Sequence, residues 1–251
     1  MSRPVTLVTG ASSGLGAEFA RQCRRRGDEL VLVARRRARL EALAAEIGGR
    51  VHVLAADLSA SDAPERLMSE IESLGLHVET LVNNAGFGLA GKFAALPPGR
   101  QREMIDLNIG ALTALTHWVL PGMVGRQRGF ILNVASTGAF QAGPGFAVYF
   151  ATKAYVLSFT EALHQELKAS DIKVSALCPG PTRTEFGAVA GVSDRFDRLS
   201  GDVRDVVAAG LKGLERNKAV VIPGLTNKIS AQSNRFLPRA LMRRIVARLK
   251  L

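Results

Sequence analysis

The sequence predicts a single doubly wound α/β domain with a parallel sheet, and three observations carry that prediction. Seven short apolar runs rich in β-branched residues alternate with helix-length segments along the chain, the pattern of strands covered on both faces by crossover helices. Glycines fall where the helices should stop (Gly27, Gly48, Gly75), as left-handed C-terminal caps require. No linker, repeat or low-complexity stretch interrupts the 251 residues, a length that suits one large core better than two.

Taken in order, "VTLVT" (5–9) is the first strand and "GLGAEFARQCRRR" (14–26) its helix. "ELVLVA" precedes "RRARLEALAAEI", and "VHVLAA" precedes "APERLMSEIESL". The fourth strand is "ETLVNNAG", followed by a long helix around 101–124 and a strand at 129–135. A helix over 148–169, a strand at 172–178, a helix over 202–216 and a strand at 218–222 complete the sheet. Crossovers of one hand then place all seven strands parallel. Residues 1–225 form the domain, and 226–251 read as a helical extension rather than an independent unit.

Composition narrows the function classes. Nearly half the residues (47%) are hydrophobic, with no apolar run long enough in the sequence to span a bilayer. "MSRPVTLVTG" enters a strand at once, leaving no room for a signal peptide, so a cytoplasmic protein is expected. Cys23 and Cys178 lie far apart in apolar surroundings and the four histidines are scattered, which predicts no metal site and no disulfide. Thirty-three Lys and Arg face 22 Asp and Glu, and from Leu211 onward there are ten basic residues and one acid, Glu215. That basic surplus sits on one terminal segment without a nucleic-acid motif, so no nucleic-acid partner is expected.

The first strand runs into "TGASSGLG". A turn that opens a helix presents free backbone N–H groups, and the helix dipole favours an anion there. Gly10 lets the chain turn, while Gly14 and Gly16 let backbone approach a pyrophosphate. Dinucleotide folds that take NAD carry an acid at the end of the second strand, on the ribose 2′-OH. Here that strand ends "VLVARRR". Arg35 and Arg36 replace the acid with guanidinium groups suited to a 2′-phosphate, and cations set against the helix dipole need such a partner. NADP(H) is the expected cofactor.

Both tyrosines of the chain lie in "VYFATKAYVLSF" (148–159). On a helix, Tyr149 and Lys153 are four apart and share a face, whereas Tyr155 is two from Lys153 and points elsewhere. An ammonium beside a phenol favours phenolate and moves its pKa toward the range of acid-base catalysis. Such a pair also arises by chance in any helix. Its neighbour is the strand "GFILNVAS", which ends at Ser136 on the carboxyl edge of the sheet, where ligands bind in open α/β folds and a serine can bond the oxygen that Tyr149 protonates.

"TGASSGLG", "NNAG" at 83–86, Asn108 in "DLNIGA", Ser136, Tyr149-x3-Lys153 and "PG" at 179–180 stand in one order over about residues 4–224. Together they resemble the short-chain dehydrogenase/reductase family, of the NADP-preferring type, and the basic tail resembles that of its DltE-like branch. The resemblance implies a Rossmann-type domain and hydride transfer between NADPH and a carbonyl or alcohol substrate. It assigns Tyr149 as acid in reduction and base in oxidation, Lys153 as the group that lowers its pKa and holds the nicotinamide ribose, and Ser136 as the group that polarises the carbonyl. Asn108 would hold a water that continues the proton relay; a polar kink in the long helix is the alternative reading of that residue. For the cofactor it implies Gly10, Ser12, Ser13, Gly14 and Leu15 at the turn, Asp57 and Leu58 at the adenine, and Asn84, Ala85 and Gly86 from the fourth strand. Tyr149 and Lys153 also count as cofactor contacts, as do Pro179, Gly180, Thr182 and Thr184 in "CPGPTRTEF". Related enzymes pair through the helices matching 101–124 and 148–169, which implies a homo-oligomer, a dimer or a tetramer.

Loops at the same sheet edge carry Phe87, Phe140, Phe146, Phe186 and Phe196, which point to a hydrophobic carbonyl compound, although several of these rings suit the core equally. The 182–200 segment, with Gly187 and Gly191, reads as a lid. From Pro238 the tail is a basic helix with Leu241, Met242, Ile245, Val246 and Leu249 on one side and Arg239, Arg243, Arg244, Arg248 and Lys250 on the rest. Such a helix can touch an anionic membrane, hold a partner, or dock on its own domain. The alternative to an enzyme is an NADP(H)-binding regulator that uses 238–251 to engage a partner or a membrane. An intact Asn108, Ser136, Tyr149 and Lys153 set argues against it.

Overall fold

The computed structural model describes residues 2–191, 201–233 and 236–248. Phe196, the 192–200 part of the expected lid, Leu249 and Lys250 lie outside the described residues. The strands are β1 (Arg3–Thr9), β2 (Leu30–Ala34), β3 (Val51–Ala55), β4 (Leu76–Asn83), β5 (Gly129–Val134), β6 (Ile172–Leu177) and β7 (Val220–Val221). They form one seven-stranded sheet in the order β3-β2-β1-β4-β5-β6-β7, and every pairing is parallel.

The apolar runs are two-sided, as their composition implies. In β2, Val31 and Val33 enter one core while Leu30 and Leu32 enter the other, because successive side chains of a strand point to opposite faces. On the first face lie α3 (Ala63–Ser73) and α5 (Leu112–Arg126), represented by Ile71, Leu115 and Val119. On the second lie α1 (Gly14–Arg25), α2 (Arg37–Ile47) and α8 (Val203–Glu215), represented by Phe19, Leu40 and Val207. Between the strands, a buried polar ladder runs from Asn83 Nδ2 to Asn133 Oδ1 (3.0 Å) and from Asn133 Nδ2 to Thr160 Oγ1 (3.0 Å). These partners remove the cost of placing amides in a core. Strand order reverses beside β1, so the carboxyl ends of β1 and β4 open the crevice in which such folds take ligands.

The long helix expected at 101–124 is three pieces: α4 (Pro98–Ile105), a π-helical turn over Asp106–Ala111, and α5. The widened turn falls on "DLNIGA" and buries Asn108, and such turns recur at functional sites. The run Pro98–Arg126 is also long and apolar enough to cross a membrane by length and composition alone, which corrects the expectation that no such run exists. One side of the run is taken up by the core, while Ile105, Trp118 and Val124 stay exposed. Leu112, Leu115, Val119 and Met123 of α5 are buried, and three of them pack with Leu81 and Ile131 of the sheet.

The helix over 148–169 is α6 (Ala147–Glu166), and a short α7 (Phe186–Ala190) follows β6. Where the sequence reading placed one tail helix there are two, α9 (Leu225–Ser233) and α10 (Arg239–Arg248). The apolar side of α10 is divided: Met242 and Val246 are buried, while Leu241 and Ile245 remain exposed. Val246 joins Phe87, Phe146 and Tyr149 in one cluster. Asn227 of α9 seats against Gly180, where an added Cβ would come within 2.3 Å of its Oδ1. The tail therefore packs along the carboxyl edge of the sheet.

Candidate active site

The glycine-rich turn after β1 needs its glycines. Gly10 holds a φ of 66°, in the left-handed region that favours glycine. A Cβ on Gly16 would lie 2.2 Å from the Gly10 carbonyl oxygen. The turn is braced from β4: Asn84 Nδ2 donates to the Thr9 carbonyl (2.9 Å), and the amides of Asn84 and Ala85 both donate to Thr9 Oγ1 (3.0 Å each). Thr9 is a site residue that the sequence reading did not single out, although it stands first in the quoted motif. Thr184 lies over the turn, 3.1 Å from where a Gly14 Cβ would be. Thr182 Oγ1 donates to the Gly180 carbonyl (2.9 Å), and the Pro179 carbonyl accepts from Thr137 N (2.9 Å). Gly86 faces Asn108, with room for no Cβ.

The arginines after β2 separate. Arg36 reaches back over the turn, donating to Ser12 Oγ (3.1 and 3.2 Å) and Ser13 Oγ (3.0 Å). Arg35 turns the other way, to Glu103 (3.1 Å) and toward Asp57 (3.9 Å). Arg36 therefore faces the turn, and Arg35 frames the side bearing Asp57. Asp57 accepts from Ser59 N and Oγ (3.1 and 2.7 Å), and its neighbour Leu58 is buried. The residues fit NADP(H): a glycine cradle, two serines and a guanidinium meet at the end of β2, with no carboxylate at the strand's end.

Ser136 ends the stretch after β5 and caps the turn Thr137–Phe140, accepting from Gly138 N (3.0 Å). Its side chain stands beside the Tyr149 hydroxyl, which comes from the first turn of α6. Burial pushes the Tyr149 phenol up to about 12, and the neighbouring Ser136 hydroxyl pulls the other way. Burial also brings the Lys153 ammonium down to about 8. Its Nζ donates to the Val134 carbonyl (2.7 Å) and stands 5.9 Å from the centre of the Tyr149 ring. Helical spacing thus sets the lysine beside the ring rather than at the hydroxyl, and the expected lowering of the phenol's pKa is not what this geometry gives. Tyr155 is exposed, bonded to Thr113 Oγ1 (3.0 Å) and stacked on Phe159, so the lysine's partner is Tyr149, as the spacing predicts.

Asn108 bonds protein groups through both atoms of its amide. Oδ1 accepts from Phe87 N (3.1 Å), and Nδ2 donates to the Phe87 carbonyl (3.0 Å) and Thr152 Oγ1 (3.1 Å). The side chain is a bracket between the loop after β4 and α6. The polar-kink reading of this residue matches the π turn.

Around Tyr149 the rings close in. Phe186 lies 5.3 Å and Phe146 6.1 Å from it, centre to centre, with Phe87, Leu89, Met104 and Val246 in the same cluster. Phe140 belongs elsewhere, with Ala139, Cys178 and Ile222. The residues that sequence reasoning missed here, Met104 and Val246, come from distant segments and carry no local motif.

A glycine cradle for a dinucleotide, joined at the sheet's carboxyl edge to a serine, a buried tyrosine and a buried lysine, defines a nicotinamide-nucleotide oxidoreductase. Residues 4–191 match the family model described as short chain dehydrogenase, and the chain belongs to that family. It is 34% identical over 207 residues to a serine 3-dehydrogenase of Agrobacterium fabrum, covering 80% of this chain and 82% of that protein. It is 31% identical over 245 residues to a very-long-chain 3-oxoacyl-CoA reductase of Anas platyrhynchos, covering 94% and 72%. Among solved structures, a short-chain dehydrogenase from Sphingobium yanoikuyae in complex with NADPH matches with a TM-score of 0.84 at 36% identity, covering 95% of each chain. The protein is an NADP-dependent oxidoreductase that interconverts alcohol and carbonyl groups.

Proposed function

We propose that this enzyme reduces bulky, apolar ketones or aldehydes, with Tyr149 as the proton donor. One observation carries the reading: Tyr149 presents its hydroxyl, with Ser136 beside it, from within an apolar cluster that holds Phe87, Phe146 and Phe186. A pocket with apolar walls and a few convergent polar groups selects an apolar ligand and fixes one oxygen of it. The reductase of long acyl chains among the relatives supports the same substrate class.

NADPH, when bound, supplies the hydride that reaches the carbonyl carbon. Ser136 orients the carbonyl oxygen and donates a hydrogen bond to it, and Tyr149 gives its proton to that oxygen as negative charge develops. The high pKa of the buried phenol keeps it protonated at neutral pH, as an acid must be. Lys153, brought down to about 8, both holds and releases a proton near neutrality, which suits it to replenish the phenol. Asn108 fixes the loop after β4 against α6, so that Phe87 and Tyr149 keep their spacing. In the oxidative direction each proton moves in reverse.

The test is cofactor consumption over a panel of carbonyl compounds graded from small and polar to large and apolar, with NADPH and NADH run side by side. The expected result is kcat/KM rising with apolar bulk, and NADPH at least tenfold better than NADH, a difference of about 1.4 kcal/mol. A best substrate that is small and charged would overturn the substrate class.

A second reading concerns the tail. Leu225, Ile229 and Phe236 are 74%, 63% and 83% exposed. Lys228, Arg239, Arg243, Arg244 and Arg248 have no ion pair among the described residues. Exposed apolar groups ringed by cations fit an anionic lipid surface. Vesicles containing phosphatidylglycerol are expected to sediment the full chain at low salt, and neutral vesicles not. Equal behaviour with both would remove this reading.

A further inference from the structure

The end of β2 holds more positive charge than Arg36 alone. One turn along α2, Arg39 projects to the same place, and the carboxylate of Glu185 bridges the two guanidiniums. Its Oε2 accepts from Arg36 Nη1 (3.0 Å) and its Oε1 from Arg39 Nη1. Glu185 comes from the far side of the sheet, in the segment between β6 and α7. Both arginines hold its carboxyl below the usual carboxylate range, Arg39 first, so it is an anion at neutral pH. Arg36 meanwhile keeps Ser12 and Ser13. A cavity of about 210 Å³ bordered by Ser12, Arg21 and Arg39 adjoins the group, and Arg21 is itself paired with Glu46 (2.6 Å). Arg39 is thus a cation beside open space whose one ion-pair partner among the described residues is an acid borrowed from another element.

We propose that Arg39 completes the 2′-phosphate site with Arg36, and that Glu185 is an internal counter-ion which the phosphate displaces. The proposal rests on the assignment of the 2′-phosphate to the end of β2. A dianionic phosphate with three acceptor oxygens satisfies two guanidiniums better than one carboxylate. NADH lacks that phosphate and leaves Glu185 in place. Glu185 therefore lowers NADPH affinity without touching NADH affinity, and Arg39 raises the first without the second.

The test uses the full chain and measures Kd for NADPH, NADH and 2′,5′-ADP. Removing the charge with Glu185→Gln is expected to tighten NADPH and 2′,5′-ADP about three- to tenfold and leave NADH within about twofold. Arg39→Ala is expected to weaken NADPH and 2′,5′-ADP about tenfold, again sparing NADH. Melting curves identify any variant that fails to fold, and Arg39→Lys, which keeps the charge but not the fork, is expected to fall between. Weaker or unchanged NADPH binding in Glu185→Gln, or an equal loss of both cofactors in Arg39→Ala, overturns the proposal. If the wild type itself binds NADPH no better than NADH, the phosphate assignment fails first, and the two failures are told apart.

Discussion

Replacing Tyr149 with phenylalanine is expected to lower kcat by about 10²–10⁴-fold, the usual contribution of a positioned general acid. The substitution removes one oxygen. The ring keeps its contacts with Phe146 and Phe186, and Ser136 keeps the Gly138 amide, so the pocket should hold its shape and NADPH its affinity. Single-turnover rates and NADPH titration separate the two effects. Loss of cofactor binding in step with kcat would make Tyr149 a binding residue instead, and a kcat within a few-fold of wild type would move the proton donor elsewhere.

Lys153→Met is expected to cost activity at least as heavily while sparing stability. The ammonium is buried, with one described hydrogen bond, to Val134 O, and burial brings its pKa down to about 8 from 10.5. A lysine whose folded pKa is lowered destabilises the folded state most below about 8, where the fold must carry the charge, and the penalty fades as pH rises toward 10.5. The shift corresponds to a penalty on the order of 3 kcal/mol at pH 7. Methionine fills similar volume without the charge. Urea unfolding should therefore find the variant no less stable than wild type at pH 7. Its advantage should shrink by about 2 kcal/mol at pH 9.5. A variant clearly less stable at pH 7 would mean that the Val134 bond outweighs desolvation. A lysine kept at such cost has a functional reason, and its place in the proposed proton relay supplies one.

Much of the fold was legible because its signals are local. Two-sided apolar runs such as "ELVLVA" can only be covered strands, and glycines at 10, 14 and 16 mark a turn that no side chain would fit. Register, the π turn and the course of the tail depend on tertiary packing. The "DLNIGA" stretch continues the helical pattern with a polar kink as one reading of Asn108, and the widened turn follows from the bonds of Asn108 to the Phe87 backbone. The tail's helical period was visible, but which half of its apolar face would be buried depends on an apolar cluster around Tyr149 that distant segments build. The site followed the same division. Tyr149, Lys153 and Ser136 stand out from spacing and strand ends, whereas Arg39 and Glu185 are 146 positions apart. Spacing gave the correct partner for Lys153 but the wrong direction for the phenol's pKa, because a helix face does not reveal how deeply the hydroxyl is buried.

The most direct measurement is the fate of deuterium from NADPH carrying two deuteriums at C4 during turnover of a bulky apolar ketone. One deuterium is expected at the carbinol carbon and none at the oxygen, with one alcohol formed per NADPH oxidised. NADPH oxidation that leaves the ketone unchanged, or an alcohol without the label, would contradict it.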